Sequence, residues 1–155
     1  MPRLVLVNPE IPPNTGNVAR TCAATGTPLH LVMPLGFELS DKYLKRAGLD
    51  YWPYVDLHVH DSLDAFWQHA QAEGGRLIGY SARACDHYTD LTYQADDWLL
   101  FGKESQGLSP AAIERCDTVT TIPMKQGPVR SLNLSVSAAV GLFEALRQLD
   151  QQKAD

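Results

Sequence analysis

Three short polar runs hold most of the chemistry open to this 155-residue chain. The first is Asn14-Thr15-Gly16-Asn17-Val18-Ala19-Arg20. Placed at a helix start, it suits an anion, because the free N–H groups and the helix dipole favour negative charge there. Asn17 and Arg20 are three apart and share a helix face, and the Arg20 guanidinium could fork onto a phosphate. Capping by Asn14 plus a surface arginine accounts for the same residues without a ligand. The second run is Gly102-Lys103-Glu104-Ser105-Gln106-Gly107. Its two glycines allow close backbone approach or positive φ, and Glu104 between them can accept hydrogen bonds from loop amides. A plain strand-to-helix turn is the other reading. The third run is Ile122-Pro123-Met124 followed by Arg130-Ser131-Leu132-Asn133-Leu134-Ser135. There Ser131 or Asn133 can cap the helix that follows, and side chains of the alternating Ser131, Asn133 and Ser135 can in addition contact a ligand.

The remaining combinations are weaker. Neither GxGxxG nor GxxxxGK[ST] occurs, which sets aside nicotinamide and triphosphate binding of those kinds. His58-Val59-His60-Asp61 has ligand-like spacing but no evident third ligand, so a surface strand and no metal are expected. Asp86-His87 lacks the GxSxG serine that a hydrolytic triad would need. Trp52, Trp67 and Trp98 read as packing residues rather than base-stacking platforms. Cys22, Cys85 and Cys116 are scattered and odd in number. They indicate neither a zinc site nor a disulfide framework, which fits a reducing cytoplasm.

The elements that must position these runs follow from the hydrophobic pattern. Leu4–Val7, Leu29–Val32, Leu77–Tyr80, Trp98–Phe101 and Val119–Ile122 are short apolar runs of the kind buried on both faces of a parallel sheet. A weaker strand is expected near Val55–His58. Pro9, Pro12 and Pro13 force a loop, after which Asn14 can cap a helix to about Thr25. Ser40 can cap a short helix ending at Gly48, with Lys42, Lys45 and Arg46 on its surface. Asp61 or Ser62 starts a helix ended by Gly74-Gly75, and Ser109-Pro110 starts a short one ending near Arg115. Ser135–Gln148 closes the chain as an apolar-faced helix, with a frayed tail from Gln151. Residues 82–96 are polar and read as the most mobile loop. Strands alternating with helices give an α/β fold with a mainly parallel sheet flanked by helices, in one domain over residues 1–155.

Hydrophobic residues make up 45% of the chain and charged residues 20%, ordinary for a globular protein that needs no staple. The start of the chain lacks the apolar stretch of a signal peptide, and no segment approaches a membrane span. The net charge of −5 argues against a general nucleic-acid binder, but not against a local basic patch. Arg20, Lys103, Lys125 and Arg130 lie in or beside the three runs, and Lys42, Lys45 and Arg46 cluster nearby in sequence.

Taken in order, the three runs resemble the signature motifs of the SPOUT class of RNA methyltransferases, in its SpoU branch: NxGNxxR, then FGxExxGL after a strand, then IPM…SLNLS. The likeness covers nearly the whole chain. Asn8-Pro9-Glu10-Ile11-Pro12-Pro13-Asn14 and Lys45-Arg46-Ala47-Gly48-Leu49-Asp50-Tyr51 are similar to the minimal TrmL or YibK-like subgroup, which 2′-O-methylates the wobble nucleotide, cytidine or modified uridine, of leucine tRNAs. The resemblance implies an α/β knot with the C-terminal segment threaded through a loop, a cytoplasmic homodimer whose site is completed across its interface, and S-adenosylmethionine as cofactor. It implies cofactor contacts at Tyr80, Gly102, Ile122, Ser131 and Leu132. It makes Arg20, Glu104, Ser131 and Asn133 the catalytic set, and Asn14, Asn17, Arg20, Lys42, Lys45, Arg46 and Arg130 the tRNA-binding set. The third motif continues as Val136-Ser137-Ala138 where close wobble-methylating relatives often have Asn-Ala-Val, and Phe143 stands where a tyrosine is common. The alternatives are the same chemistry on another tRNA position or on ribosomal RNA, and an RNA-binding dimer without turnover.

Overall fold

The computed structural model describes residues 1–40 and 51–155. Its strands are β1 (Arg3–Val7), β2 (Leu29–Val32), β3 (Leu57–His60), β4 (Leu77–Tyr80), β5 (Trp98–Phe101) and β6 (Thr118–Thr120). They form one sheet in the order β3-β2-β1-β5-β4-β6, every neighbouring pair parallel. Leu4 of β1 lies between Leu29 and Leu99. All of β2, β4 and β5 is buried, as continuous apolar runs in a sheet covered on both faces should be.

The helices are α1 (Pro12–Thr25), α2 (Leu63–Glu73), α3 (Pro110–Glu114) and α4 (Leu134–Ala154). Alternation along the strands divides the core in two. Leu4, Leu6, Leu31, Tyr80, Leu99 and Phe101 pack with Val18, Ala19 and Cys22 of α1 and with Ala138, Leu142 and Ala145 of α4. Val5, Val7, Val32, Trp98 and Leu100 face Phe66 and Ala70 of α2 and Ala112 of α3. Trp98 is fully buried, with its indole N–H donated to the Gly74 carbonyl at 2.9 Å, a packing role as expected.

Several boundaries differ from those expected. α1 begins at Pro12, with Ile11 as a cap that makes no side-chain hydrogen bond. Pro12 and Pro13 therefore open the helix instead of preceding it, since a first-turn residue needs no N–H partner. Asn14 is consequently inside the helix and does not cap it. Asn133, one of the two expected cap candidates, caps α4 by accepting from the Ser135 N–H, and the helix begins at Leu134, one residue earlier than expected. α4 also continues through the expected frayed tail, where Gln152 donates to the Tyr93 carbonyl at 3.1 Å. β3 lies two residues later than expected, after a 3₁₀ turn at Trp52–Tyr54. β6 ends at Thr120, and Thr121 instead bridges His87. The helix expected over 40–48 falls largely outside the described residues, and Lys42, Lys45 and Arg46 all do.

The segment expected to be loose is tied down. Tyr93 is buried; its N–H donates to the Gln148 side chain of α4 at 3.0 Å, and its hydroxyl donates to the Tyr88 carbonyl. Asp97, fully buried, accepts from Arg76 Nε and Nη2 and from the Gln94 N–H. The polar composition of 82–96 conceals a single tyrosine anchor. Asp86 and His87 serve through their backbones: the Asp86 carbonyl accepts from Thr121 N–H, and the His87 carbonyl accepts from Asp90 N–H.

Candidate active site

The chain lays β1, β2 and β3 outward in one direction and β5, β4 and β6 in the other, so the order reverses between β1 and β5. Ligands of open α/β sheets bind beyond the carboxyl ends of the strands at such a point. A cleft of about 840 Å³ lies there. The ends of β1, β4 and β5 contribute Val7, Tyr80 and Phe101 to it, and the loops beyond contribute Gly102, Glu104, Ile122, Arg130, Ser131 and Asn133.

Each part of this wall has a local cause. Residues 102–108 leave β5 and fold back, with Lys103 bridging Gly107. A Cβ on Gly102 would lie 2.0 Å from the Gly107 carbonyl carbon and 2.1 Å from the Leu108 nitrogen, and Gly107 has φ +70°. Both glycines are thus required by the turn itself, one for space and one for its left-handed backbone.

Glu104 reaches across to the start of α1. Its carboxylate accepts from the Glu10 N–H at 3.0 Å and from the Ile11 N–H, a charge placed where the helix dipole favours it. Glu10 reciprocates, accepting from the Ser105 hydroxyl at 2.6 Å and the Ser105 N–H at 3.1 Å. Those Ser105 hydrogen bonds hold the Glu10 carboxyl below the usual carboxylate range. Glu10 was not visible as a site residue, because its partners lie more than ninety positions away and no local pattern announces them.

A second lacing joins α1 to α4. The Asn133 amide donates to Asn14 Oδ1 at 3.0 Å, while its own oxygen accepts from Ser135 N–H and Oγ–H. Asn14 is 7% exposed and lines the cleft. With its oxygen occupied, its NH₂ group is the donor left for a ligand. Tyr80 presents a ring stacked on Phe101 at 4.4 Å between centroids. Its hydroxyl is spent on Tyr93 at 2.7 Å, and burial pushes its ionisation well above the ordinary tyrosine range.

Tyr80, Gly102, Ile122, Ser131 and Leu132 all line this one cleft, together with Asn14, Glu104, Arg130 and Asn133. Asn17 and Arg20 do not; both are exposed on α1, and the Arg20 guanidinium lies over the Tyr51 ring at 4.9 Å. Of the positions that depart from close relatives, Val136 and Phe143 are exposed on α4 outside the cleft, Ala138 is buried, and Ser137 lines the cleft. Arg130 and Ile122 further line a second concavity of about 730 Å³ with Lys125. The spacing His58-x-His60 acquires what the sequence did not show: His30 and His69 lie beside His60. Parallel pairing of β2 with β3 brings His30 there, a relation no short motif encodes.

A parallel α/β sheet with a polar-rimmed cleft at its switch point defines a nucleotide- or cofactor-binding enzyme architecture. Residues 1–143 match the model of the SpoU rRNA methylase family, and the chain belongs to that family. A Synechocystis protein, provisionally named tRNA (cytidine(34)-2′-O)-methyltransferase, is 60% identical over 149 residues, covering 96% of this chain and 97% of its own length. The tRNA (cytidine(34)-2′-O)-methyltransferase of Burkholderia pseudomallei is 46% identical, covering 94% of each chain. A solved structure described in terms of 2-OH methylation of C/U34 on tRNA superposes with a TM-score of 0.88 at 53% identity, covering 97% of both chains. An AdoMet-bound rRNA methyltransferase from Sinorhizobium meliloti superposes with a TM-score of 0.84 at 25% identity, over 96% of this chain and 56% of that one.

Proposed function

We propose that this chain transfers a methyl group from S-adenosylmethionine to the ribose 2′-oxygen of the wobble nucleotide, cytidine or a modified uridine, of leucine tRNAs. The observation that carries the reading is the convergence of all three sequence motifs on one cleft at the sheet's switch point. The relatives named for cytidine-34 2′-O-methylation support the position on the tRNA, and the AdoMet-bound neighbour supports the donor.

The cleft's chemistry fits such a cofactor. Its volume lies within the roughly 300–1,000 Å³ of small-molecule sites. Tyr80, Phe101, Ile122 and Leu134 give it apolar surface for a base, and Ser131, Asn133 and the 102–108 backbone give it a polar rim. When bound, S-adenosylmethionine supplies an electrophilic methyl group on a sulfonium centre. Gly102 and Ile122 would hold the adenine through main-chain groups, with Tyr80, Ser131 and Leu132 around it. Glu104 and Asn133 are positioning residues, since their polar atoms are committed to α1 and to the start of α4. Arg20 cannot serve as a base, because a guanidinium does not deprotonate in proteins. It binds the tRNA phosphate and holds the negative charge that develops on the 2′-oxygen.

Arg20 lies outside the cleft of its own chain, which supports a homodimer in which one protomer's Arg20 completes its partner's site. The exposed Ile11 at the cap of α1, with Val136 and Phe143 on α4, would supply apolar surface for that contact. Residues 1–155 would then form one cytoplasmic domain with its C-terminal segment threaded through a loop as the family's knot. Among the described residues, no helix is long and apolar enough to cross a membrane. Arg130, Asn17 and the Lys42, Lys45 and Arg46 cluster would meet tRNA phosphates, making binding salt-sensitive.

The test is transfer of labelled methyl from S-adenosylmethionine to total tRNA from a strain lacking this gene, with the modified nucleotide mapped. Label at the wobble ribose of leucine tRNA is the expected result. Label elsewhere would keep the chemistry and overturn the substrate. Cofactor binding without transfer to any tRNA or ribosomal RNA would favour an RNA-binding dimer.

A further inference from the structure

Four of the chain's five histidines gather on the α2 side of the sheet, away from the cleft. We propose that His30, His60 and His69 form a binding site for one divalent late transition-metal cation, of which zinc is the type.

The fold builds the site from three elements. The register of β2 against β3 sets His30 beside His58 and Val32 beside His60, and α2 lays His69 over them. The three ligating nitrogens lie within 4.8 Å of one another. His30 Nδ1 and His60 Nε2 are already 2.9 Å apart. Tetrahedral zinc with Zn–N bonds of about 2.0–2.1 Å separates neighbouring ligand nitrogens by roughly 3.3 Å. A cation therefore needs the first pair to open slightly and His69 to swing in. His60 and His69 are half-buried, so both rings border solvent.

His30 is the fixed member, 2% exposed, with the Phe66 and Trp98 rings edge-on to it. Burial, reinforced by the neighbouring imidazoles, depresses its ionisation to about 3, and burial lowers that of His60. Outside the three, His58 stacks on His30 at 4.4 Å and is held by Asp56 at 2.9 Å. Three imidazoles with half-exposed members leave a fourth position to water. An all-nitrogen set selects zinc, copper, nickel or cobalt over magnesium or calcium. Binding would clamp β2, β3 and α2 together on the sheet face opposite α1 and α4, and none of the three histidines lines the cleft, so the proposal does not depend on the function assigned above.

Untagged full-length protein, freed of metal by chelation, is titrated with Zn²⁺ by calorimetry and with Co²⁺ by visible absorption. One equivalent should bind, with the ligand-field bands of nitrogen-coordinated cobalt and a rise in the thermal midpoint. His60→Gln with His69→Gln, both half-buried and checked for folding by circular dichroism, should weaken binding by more than the roughly 10–100-fold that loss of an outer-sphere partner costs. Cys85→Ser, at the exposed thiol, should bind as wild type. No saturable binding to the folded wild type would overturn the site. So would unchanged affinity in the double histidine variant, or loss of binding in Cys85→Ser.

Discussion

Removing the Glu104 carboxylate distinguishes a positioning residue from one that takes part in chemistry. The carboxylate accepts two main-chain N–H groups, from Glu10 and Ile11, both chiefly at Oε2. A hydrogen bond to a charged group contributes about 1.5–3 kcal/mol, and the low end applies where the group is partly exposed and water can replace it. Glu104→Ala should therefore destabilise the fold by about 2 kcal/mol, counting both bonds and the solvation they regain. Glu104→Gln keeps an oxygen for the same donors but loses the charge at the start of α1, and should cost about half as much. If the two loops must be laced for the cleft to bind its cofactor, cofactor affinity can fall by at most roughly 30-fold, the equivalent of about 2 kcal/mol. Urea denaturation measures the first quantity and calorimetric titration with S-adenosylmethionine the second. Single-turnover transfer at saturating cofactor should then be nearly restored, since the loss lies in binding. Unchanged stability and cofactor affinity with transfer abolished would refute the reasoning and return Glu104 to the catalytic set.

Four other perturbations follow from the same geometry. Gly102→Ala would place a Cβ about 2 Å from backbone atoms of Gly107 and Leu108, and should abolish cofactor binding and lower the thermal midpoint; a normal titration would show that the turn can yield. Asp97→Ala strips a fully buried carboxylate from Arg76 and the Gln94 N–H, and should cost about 3–5 kcal/mol by denaturant unfolding; a loss under 1 kcal/mol would contradict the burial. Tyr93 is held up to about 12, mainly by burial, so below pH 10 it contributes stability that is lost as pH rises from about 10 through 12. Tyr93→Phe should flatten that alkaline limb, which buried Cys22, also near 12, begins nearer pH 9, and an unchanged pH profile would remove tyrosine from the account. Finally, Arg20→Ala should abolish transfer while leaving cofactor binding intact, and mixed dimers of Arg20→Ala with Gly102→Ala should regain activity at one site per dimer; inactive mixed dimers would mean that each chain uses its own arginine.

The sheet was legible because its strands are buried on both faces, and continuous runs such as Leu29–Val32 and Trp98–Phe101 announce that directly. Helix starts were legible where a side chain caps, as at Ser62 and Ser109. They were misread at Pro12, where the cap is a backbone matter and prolines suggest a loop. The three motifs could be found one by one, but their pairing could not. Asn14 with Asn133, Glu104 with Glu10 and His30 with His60 are each made by strand order or helix packing across long stretches of chain. The segment 82–96 failed for the converse reason: composition averages over the whole segment, and one buried Tyr93 outweighs its polar neighbours.

The geometry of α1 bears on how many chains make a site. At about 100° per residue, Arg20 lies roughly 120° around the helix from Asn14, with Asn17 between them. A helix packed against the sheet through Val18, Ala19 and Cys22 cannot turn both ends of that arc into one cleft. Asn14 takes the inward position, fixed by Asn133, and Arg20 is left outside against Tyr51. The NxGNxxR motif therefore does two different jobs from two sides of one helix. Its first asparagine organises the chain's own cleft, and its arginine is presented outward. If Arg20 acts at the ribose undergoing methylation, as proposed, its place outside its own cleft assigns it to the site of a neighbouring copy. Paired in the way proposed, a chain with a net charge of −5 could engage RNA. The cationic end of each motif is kept off its own cleft and displayed on a surface that pairing would bring against the partner's bound substrate.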